Sequence, residues 1–154
     1  MPSSEDSGKP QPFRPTKPFN EMFGRFSPDG NWVAFQSNES GQYEIWVARF
    51  PGGTDKKKIT SNGGMSPRWP REGKELFYVD TAGNMTALPV KIGATFETGK
   101  PEVLFQVDVP EYDVGGITFA DYDATKDGQR FIVITPEAPR HVHIIRNWPA
   151  IVGR

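Results

Sequence analysis

Along most of this chain, hydrophobic and polar residues alternate in short runs, and Gly, Pro, Asn, Asp or Ser stops each run. That is the two-residue period of a half-buried strand, and no segment sustains the 3.6-residue period of a helix. The clearest run is WVAFQS at residues 32–37, entered from the turn Ser27-Pro28-Asp29-Gly30. Pro presets φ for the second turn position, Asp accepts hydrogen bonds from its own backbone, and Gly supplies a positive φ. The same turn-then-strand cassette returns at Trp69–Val79, around Gly73, and at Ala124–Ile134, around Gly128. The three glycines stand 43 and 55 residues apart, a spacing that signals a repeat of about four short strands per unit.

The pattern predicts three such units, at about residues 21–64, 65–109 and 110–148. In the first, residues 23–26 form an inner strand, 32–37 a second, 43–49 a third and 57–60 a short fourth. In the second, 65–69, 75–79, 85–90 and 102–106 play the same parts, with 91–101 lengthening the last connection. In the third, 116–124, 130–135 and 142–147 are predicted, and residues 148–154 are too few for a clear fourth strand. Residues 1–19, with Pro2, Pro10, Pro12, Pro15 and Pro18, read as an extended or disordered tail that Phe13 and Phe19 are able to anchor. The expected fold is therefore all-β, with residues 20–154 forming three antiparallel blades of a β-propeller.

Blades bury both faces against neighbours, and closed propellers have about four to eight of them. Three blades leave two apolar faces open. Either further blades lie upstream in a larger protein, or two copies complete a ring as a homodimer, or the faces are covered in another way.

Composition agrees. The chain has 154 residues, and its 16 Gly and 15 Pro fit many turns, while 11 Phe and 4 Trp fit aromatic packing in sheets. A net charge of −1 gives no basic field for nucleic acid or an acidic membrane. No apolar run approaches the ~18 residues that span a bilayer. The opening MPSSEDSGKP has neither a basic nor an apolar stretch, so no secretory leader is expected there. Without cysteine there is no disulfide, thiolate nucleophile or cysteine-based zinc site.

The motifs FSPDG-x-WVAFQSNESG-x-YEIWV, SPRW-x-x-x-GKELFY and YDAT-x-DGQRF resemble the TolB-type, WD-like β-propeller repeats. More narrowly, and with the closing Ile144-Ile145-Arg146-Asn147-Trp148, they are similar to the C-terminal propeller of bacterial membrane-anchored serine/threonine protein kinases. The resemblance implies a sensing or interaction module, with catalysis in a separate kinase domain upstream. It implies an extracytoplasmic place if the chain belongs to such a kinase, and a cytoplasmic one otherwise. The Met and Pro-rich start departs from that pattern.

Chemistry is sparse. No glycine-rich phosphate loop, catalytic HRD or DFG motif is present, and no P-loop. Gly64-Met65-Ser66-Pro67-Arg68 approaches a nucleophile elbow but lacks its second Gly and a following helix. The rival reading is thus an accessory propeller of a peptidase or other hydrolase, and a further one is a self-assembling structural propeller without ligand. His141 and His143 would share one strand face, as a metal pair would, or as solvated residues beside Arg140. Asp121, Asp123 and Asp127 approach a calcium loop, but Thr125 and Lys126 stand where ligands or Gly are needed. Lys56-Lys57-Lys58 fits a protected sheet edge better than a phosphate site. No catalytic residue, metal or cofactor is expected.

One constellation stands out. Counting five residues back from Gly30, Gly73 and Gly128 gives Arg25, Arg68 and Asp123, at equivalent inner-strand positions near a propeller's central channel. They are expected either to link blades as an ion-pair belt or to grip the carboxylate of a small-molecule or protein ligand, which the planar fork of Arg fits. Trp69 and Tyr122 lie next to them as an aromatic wall.

Overall fold

In a computed structural model the described residues are 8, 10–14, 18–70, 72–108, 120–134 and 142–146, and their regular structure is all strand. Among them no helix is long and apolar enough to cross a membrane. Three antiparallel sheets follow one another along the chain. Blade one contains β1 (Glu21–Phe26), β2 (Trp32–Ser37), β3 (Glu44–Arg49) and β4 (Lys57–Lys58), in that spatial order. Blade two contains β5 (Met65–Arg68), β6 (Glu75–Val79), β7 (Asn84–Ile92), β8 (Phe96–Thr98) and β9 (Glu102–Gln106). Blade three contains β10 (Tyr122–Ala124), β11 (Arg130–Ile134) and β12 (Val142–Arg146).

The turn cassette forms as its residues dictate. Gly30, Gly73 and Gly128 have φ of 73°, 64° and 68°, the left-handed region where a Cβ is costly. Each glycine N–H closes a turn on the carbonyl three residues back, at Ser27 (2.8 Å), Pro70 (3.2 Å) and Thr125 (2.8 Å). In the first turn the Ser27 hydroxyl donates to Asp29 Oδ1 at 2.6 Å, and in the third Thr125 donates to Asp127 Oδ1 at 2.5 Å. The second turn replaces these pairs with Pro70 and Glu72.

The alternation is then read out as two seams. Leu76 and Tyr78 face blade one, where they join Trp32, Ala34, Ile45 and Val47 in one buried cluster. Phe77 and Val79, one residue over, face blade three and join Tyr122, Phe131 and Val133 in another. At the second seam the Phe77 and Phe131 rings meet edge to face, 5.0 Å apart. β6 thus feeds two cores with one alternating sequence, as a strand between two blades must.

Residues 91–101, expected as a long connection, contain the end of β7 and all of β8. β7 runs on to Ile92, turns, and pairs with β8 through Val90↔Thr98 and Ile92↔Phe96. β9 continues along the same edge of β7 through Ala87↔Glu102 and Asn84↔Gln106. Opposite the break between β8 and β9 stands Pro89, whose carbonyl accepts from Gly99 N–H at 2.8 Å but which has no N–H of its own to give. The fourth strand of blade two is therefore β8 and β9 together, interrupted at a proline.

Part of the N-terminal segment is seated on the body. Phe13 packs on the outer face of blade one, and Arg14 pairs with Glu21 at 2.6 Å. Gly53 lies so close to the Arg14 side chain that a Cβ there would stand 2.1 Å from its Cγ. The first part of the expected inner strand of blade three, His141, and the chain after Arg146 lie outside the described residues.

Candidate binding site on the inner strands

β1, β5 and β10 come together on one side of the arc, and the register makes their key positions equivalent. Arg25 pairs with Ala34, Arg68 with Phe77 and Asp123 with Ile132, each partner lying four residues past its turn glycine. Both arginine strands carry a bulge just before the arginine, between Met22 and Arg25 and between Met65 and Arg68. Each bulge holds one L-residue at positive φ, Phe23 at 57° and Ser66 at 54°, seven residues before its glycine. A bulge re-aims the side chains that come after it. Here the two guanidiniums adopt matching poses, Arg25 Nη1 donating to Gly24 O and Arg68 Nη1 to Pro67 O, each at 3.0 Å.

The structure brings Arg25, Arg68, Trp69, Tyr122 and Asp123 around a single open cavity of about 520 Å³, together with Phe26, Asp121, Ile132 and Ile134. Asp121 stands two residues from Asp123, a spacing that puts both on one face of an inner strand, and this signal marks it as a wall residue better than a calcium-loop pattern does. Trp69 spans the first seam: its Nε1 donates to Arg25 O at 3.2 Å, and its ring meets Phe96 at 6.1 Å. Tyr122 is buried, donates to Ser66 O at 2.8 Å and offers its ring to the Arg68 guanidinium 5.6 Å away. It is a seat for Arg68, since its hydroxyl is already used.

Electrostatics keep the arginines in tension. Burial lowers the Arg25 pKa below its ordinary value, the Arg68 charge lowers it further, and Asp123 and Tyr122 oppose both. Burial pushes the Tyr122 phenol well up, Asp123 adds to the rise, and Arg68 works against it. The ion-pair belt is not formed: among the described residues no carboxylate lies within 4 Å of the Arg25 or Arg68 nitrogens. Asp123 instead accepts from Ala124 N–H at 2.9 Å.

The other sequence candidates resolve into structure. Ser66 is buried, and its hydroxyl accepts from Ala120 N–H at 3.0 Å while its own N–H donates to Gln36 Oε1 at 3.0 Å, so it ties three blades together. Asp127 caps its turn, accepting from Gln129 N–H at 3.0 Å. Among the described residues no cluster of three His, Asp or Glu is placed to hold a metal. Of the three lysines, Lys56 pairs with Glu39 and lies 4.3 Å from the Trp46 ring, and Lys57 donates to Phe96 O at 3.3 Å.

Solved structures supply the comparison. TolB from Acinetobacter baumannii is similar to this chain with a TM-score of 0.57 and 20% identity, over 80% of this chain and 29% of TolB. The fold is that of a β-propeller arc. The chain spans less than a third of the length of TolB. An oligogalacturonate lyase in complex with manganese is also similar, at 15% identity and a TM-score of 0.48, over 83% of this chain and 30% of the lyase. So is the β-propeller domain of the Trilobed protease from Pyrococcus furiosus, at 18% identity and 0.37, over 83% and 56%. No family model matches the chain, and no curated protein matches it.

Proposed function

We propose that this arc is a non-catalytic binding module whose inner-strand cavity holds a carboxylate-bearing ligand, protein or small molecule, between Arg25 and Arg68. The observation that carries this reading is convergence. Two guanidiniums from successive blades, each oriented by a bulge and a backbone carbonyl, face one cavity with an indole edge beside them. Their mutual repulsion is relieved when an anion enters, and a planar fork pairs with a carboxylate through two hydrogen bonds. Asp121 and Asp123, which line the same cavity, disfavour a multiply charged anion and suit a ligand that also carries a cation or a donor. The resemblance of the motifs to kinase-linked propellers supports a setting in which such a module is the sensing end of a membrane-anchored serine/threonine kinase.

The test is calorimetric titration of the chain with a short peptide ending in a free carboxylate and with the same peptide as its C-terminal amide. The free acid is expected to bind and the amide to bind at least tenfold more weakly. Arg68→Ala is expected to abolish that preference with the melting temperature unchanged, because Arg68 packs on Tyr122 from the cavity side. Equal binding of acid and amide, or a large loss of melting temperature in Arg68→Ala, would assign the arginines to structure.

A further inference from the structure

The cavity on the inner strands holds side chains of both signs, and they do not neutralise one another. Arg25, Arg68, Asp121 and Asp123 all line it. Among the described residues no Lys, Arg or His nitrogen lies within 4 Å of either aspartate, just as no carboxylate reaches the two arginines. The fold keeps the signs apart. β1 and β5 each bulge before their arginine, whereas β10 pairs with β11 in unbroken register from Tyr122↔Val133 to Ala124↔Phe131. The arginines are therefore re-aimed, and the aspartate at the equivalent position is not. Each guanidinium is tethered to the carbonyl of the residue before it, and Asp123 to Ala124 N–H. Asp121 is held against β11, its carbonyl accepting from Ile134 N–H at 3.0 Å.

We propose that the occupant of this cavity is a dipolar ligand, a peptide whose C-terminal residue is lysine. Its carboxylate sits on Arg25 and Arg68, and its ammonium on Asp121 and Asp123. This rests on the carboxylate reading above and adds the cation. Three features carry it. A plain monoanion leaves two aspartates facing it without a cation, whereas a ligand of both signs satisfies both pairs at once. A C-terminal lysine bears its two charges at the ends of one aliphatic stem, and Phe26, Trp69, Ile132 and Ile134 give that stem an apolar lining. The volume of about 520 Å³ falls within the ~300–1,000 Å³ of small-ligand sites and exceeds what a lone carboxylate fills. Lysine suits the aspartates better than arginine, because a compact ammonium is shared between two carboxylates more readily than a planar fork. The cavity is open, so the chain before the lysine leaves to solvent. A free ω-amino acid offers the same pair of charges on the same stem, and the experiment separates the two sources.

The experiment is calorimetric titration of the full chain with a short peptide ending in lysine, its C-terminal amide, the same peptide ending in norleucine, and ω-aminohexanoate. Norleucine keeps the stem and lacks the ammonium. The lysine acid is expected to bind about tenfold more tightly than the norleucine acid, and more tightly than ω-aminohexanoate. That tenfold preference is expected to shrink in Asp121→Asn and in Asp123→Asn and to vanish when both are combined. Both aspartates are exposed, and melting by circular dichroism checks that each variant folds. Equal binding of the lysine and norleucine acids, with the amide still weaker, overturns the proposal and leaves the carboxylate reading standing. Equal binding of acid and amide removes the carboxylate reading and the proposal with it. A lysine preference that survives in the double variant overturns the assignment of the ammonium to the aspartates. Tighter binding of ω-aminohexanoate than of the peptide overturns the peptide in favour of a free amino acid.

Discussion

The seams inside the arc and the faces at its ends are written in the same alternation, yet they have different fates. In β6, Leu76 and Phe77 are both fully buried, because a blade stands on either side. In β11, Phe131 is buried against blade two while Ile132, the next residue, is 42% exposed. Nothing in the type of residue separates these positions. Burial here is a property of the neighbouring blade, so the same strand sequence contributes stability on one side and leaves an exposed apolar surface on the other.

That contrast breaks most sharply by truncation. Phe77→Ala empties a site walled by Phe131 and by the tip of the Gly128 turn, and is expected to cost ~3–5 kcal/mol in urea unfolding. Ile144→Ala, on the open face, is expected to change the stability of the single arc by less than ~0.5 kcal/mol. Comparable losses at the two positions would mean that the end face is already covered.

A smaller effect is expected at Ser66, whose hydroxyl joins blade two to blade three. Ser66→Ala leaves the buried Ala120 N–H without its partner, at a cost of about 1–3 kcal/mol in the same experiment. An unchanged midpoint would show that the Ser66 hydroxyl adds nothing to the apolar cluster and the Tyr122–Ser66 O hydrogen bond that also hold the second seam.

The smallest effect belongs to the turns. For Asp29, burial raises the pKa, but hydrogen bonds from Ser27 and Asn31 outweigh it, and the net shift is downward. A carboxylate with a depressed folded pKa contributes stability above its unfolded value, near 3.9, and loses it as pH falls through the folded value. Asp29→Asn is therefore expected to melt slightly below the native chain at neutral pH and level with it in strong acid. A difference that persists in acid would mean that charge is not what holds this turn.

Much of this was legible in the residues. The bounds of β2 and β6 come from alternation after a turn glycine, and the equivalence of Arg25, Arg68 and Asp123 from counting back from it. What the chain alone hid was of three kinds. β8 lies between Gly93 and Pro101, residues that read as loop, and only the free edge of β7 makes it a strand. The bulges at Phe23 and Ser66 put ordinary L-residues at positive φ, for which no residue type is a marker. The missing ion pair between Asp123 and the arginines is a matter of ångströms, and equivalent strand positions do not fix distance.

Calorimetric titration of the chain with a peptide ending in a free carboxylate, and with its C-terminal amide, puts the Arg25–Arg68 cavity to its most direct test. Binding of the acid at least tenfold more tightly than the amide, lost in Arg68→Ala, is the predicted result. Equal binding of acid and amide would contradict it.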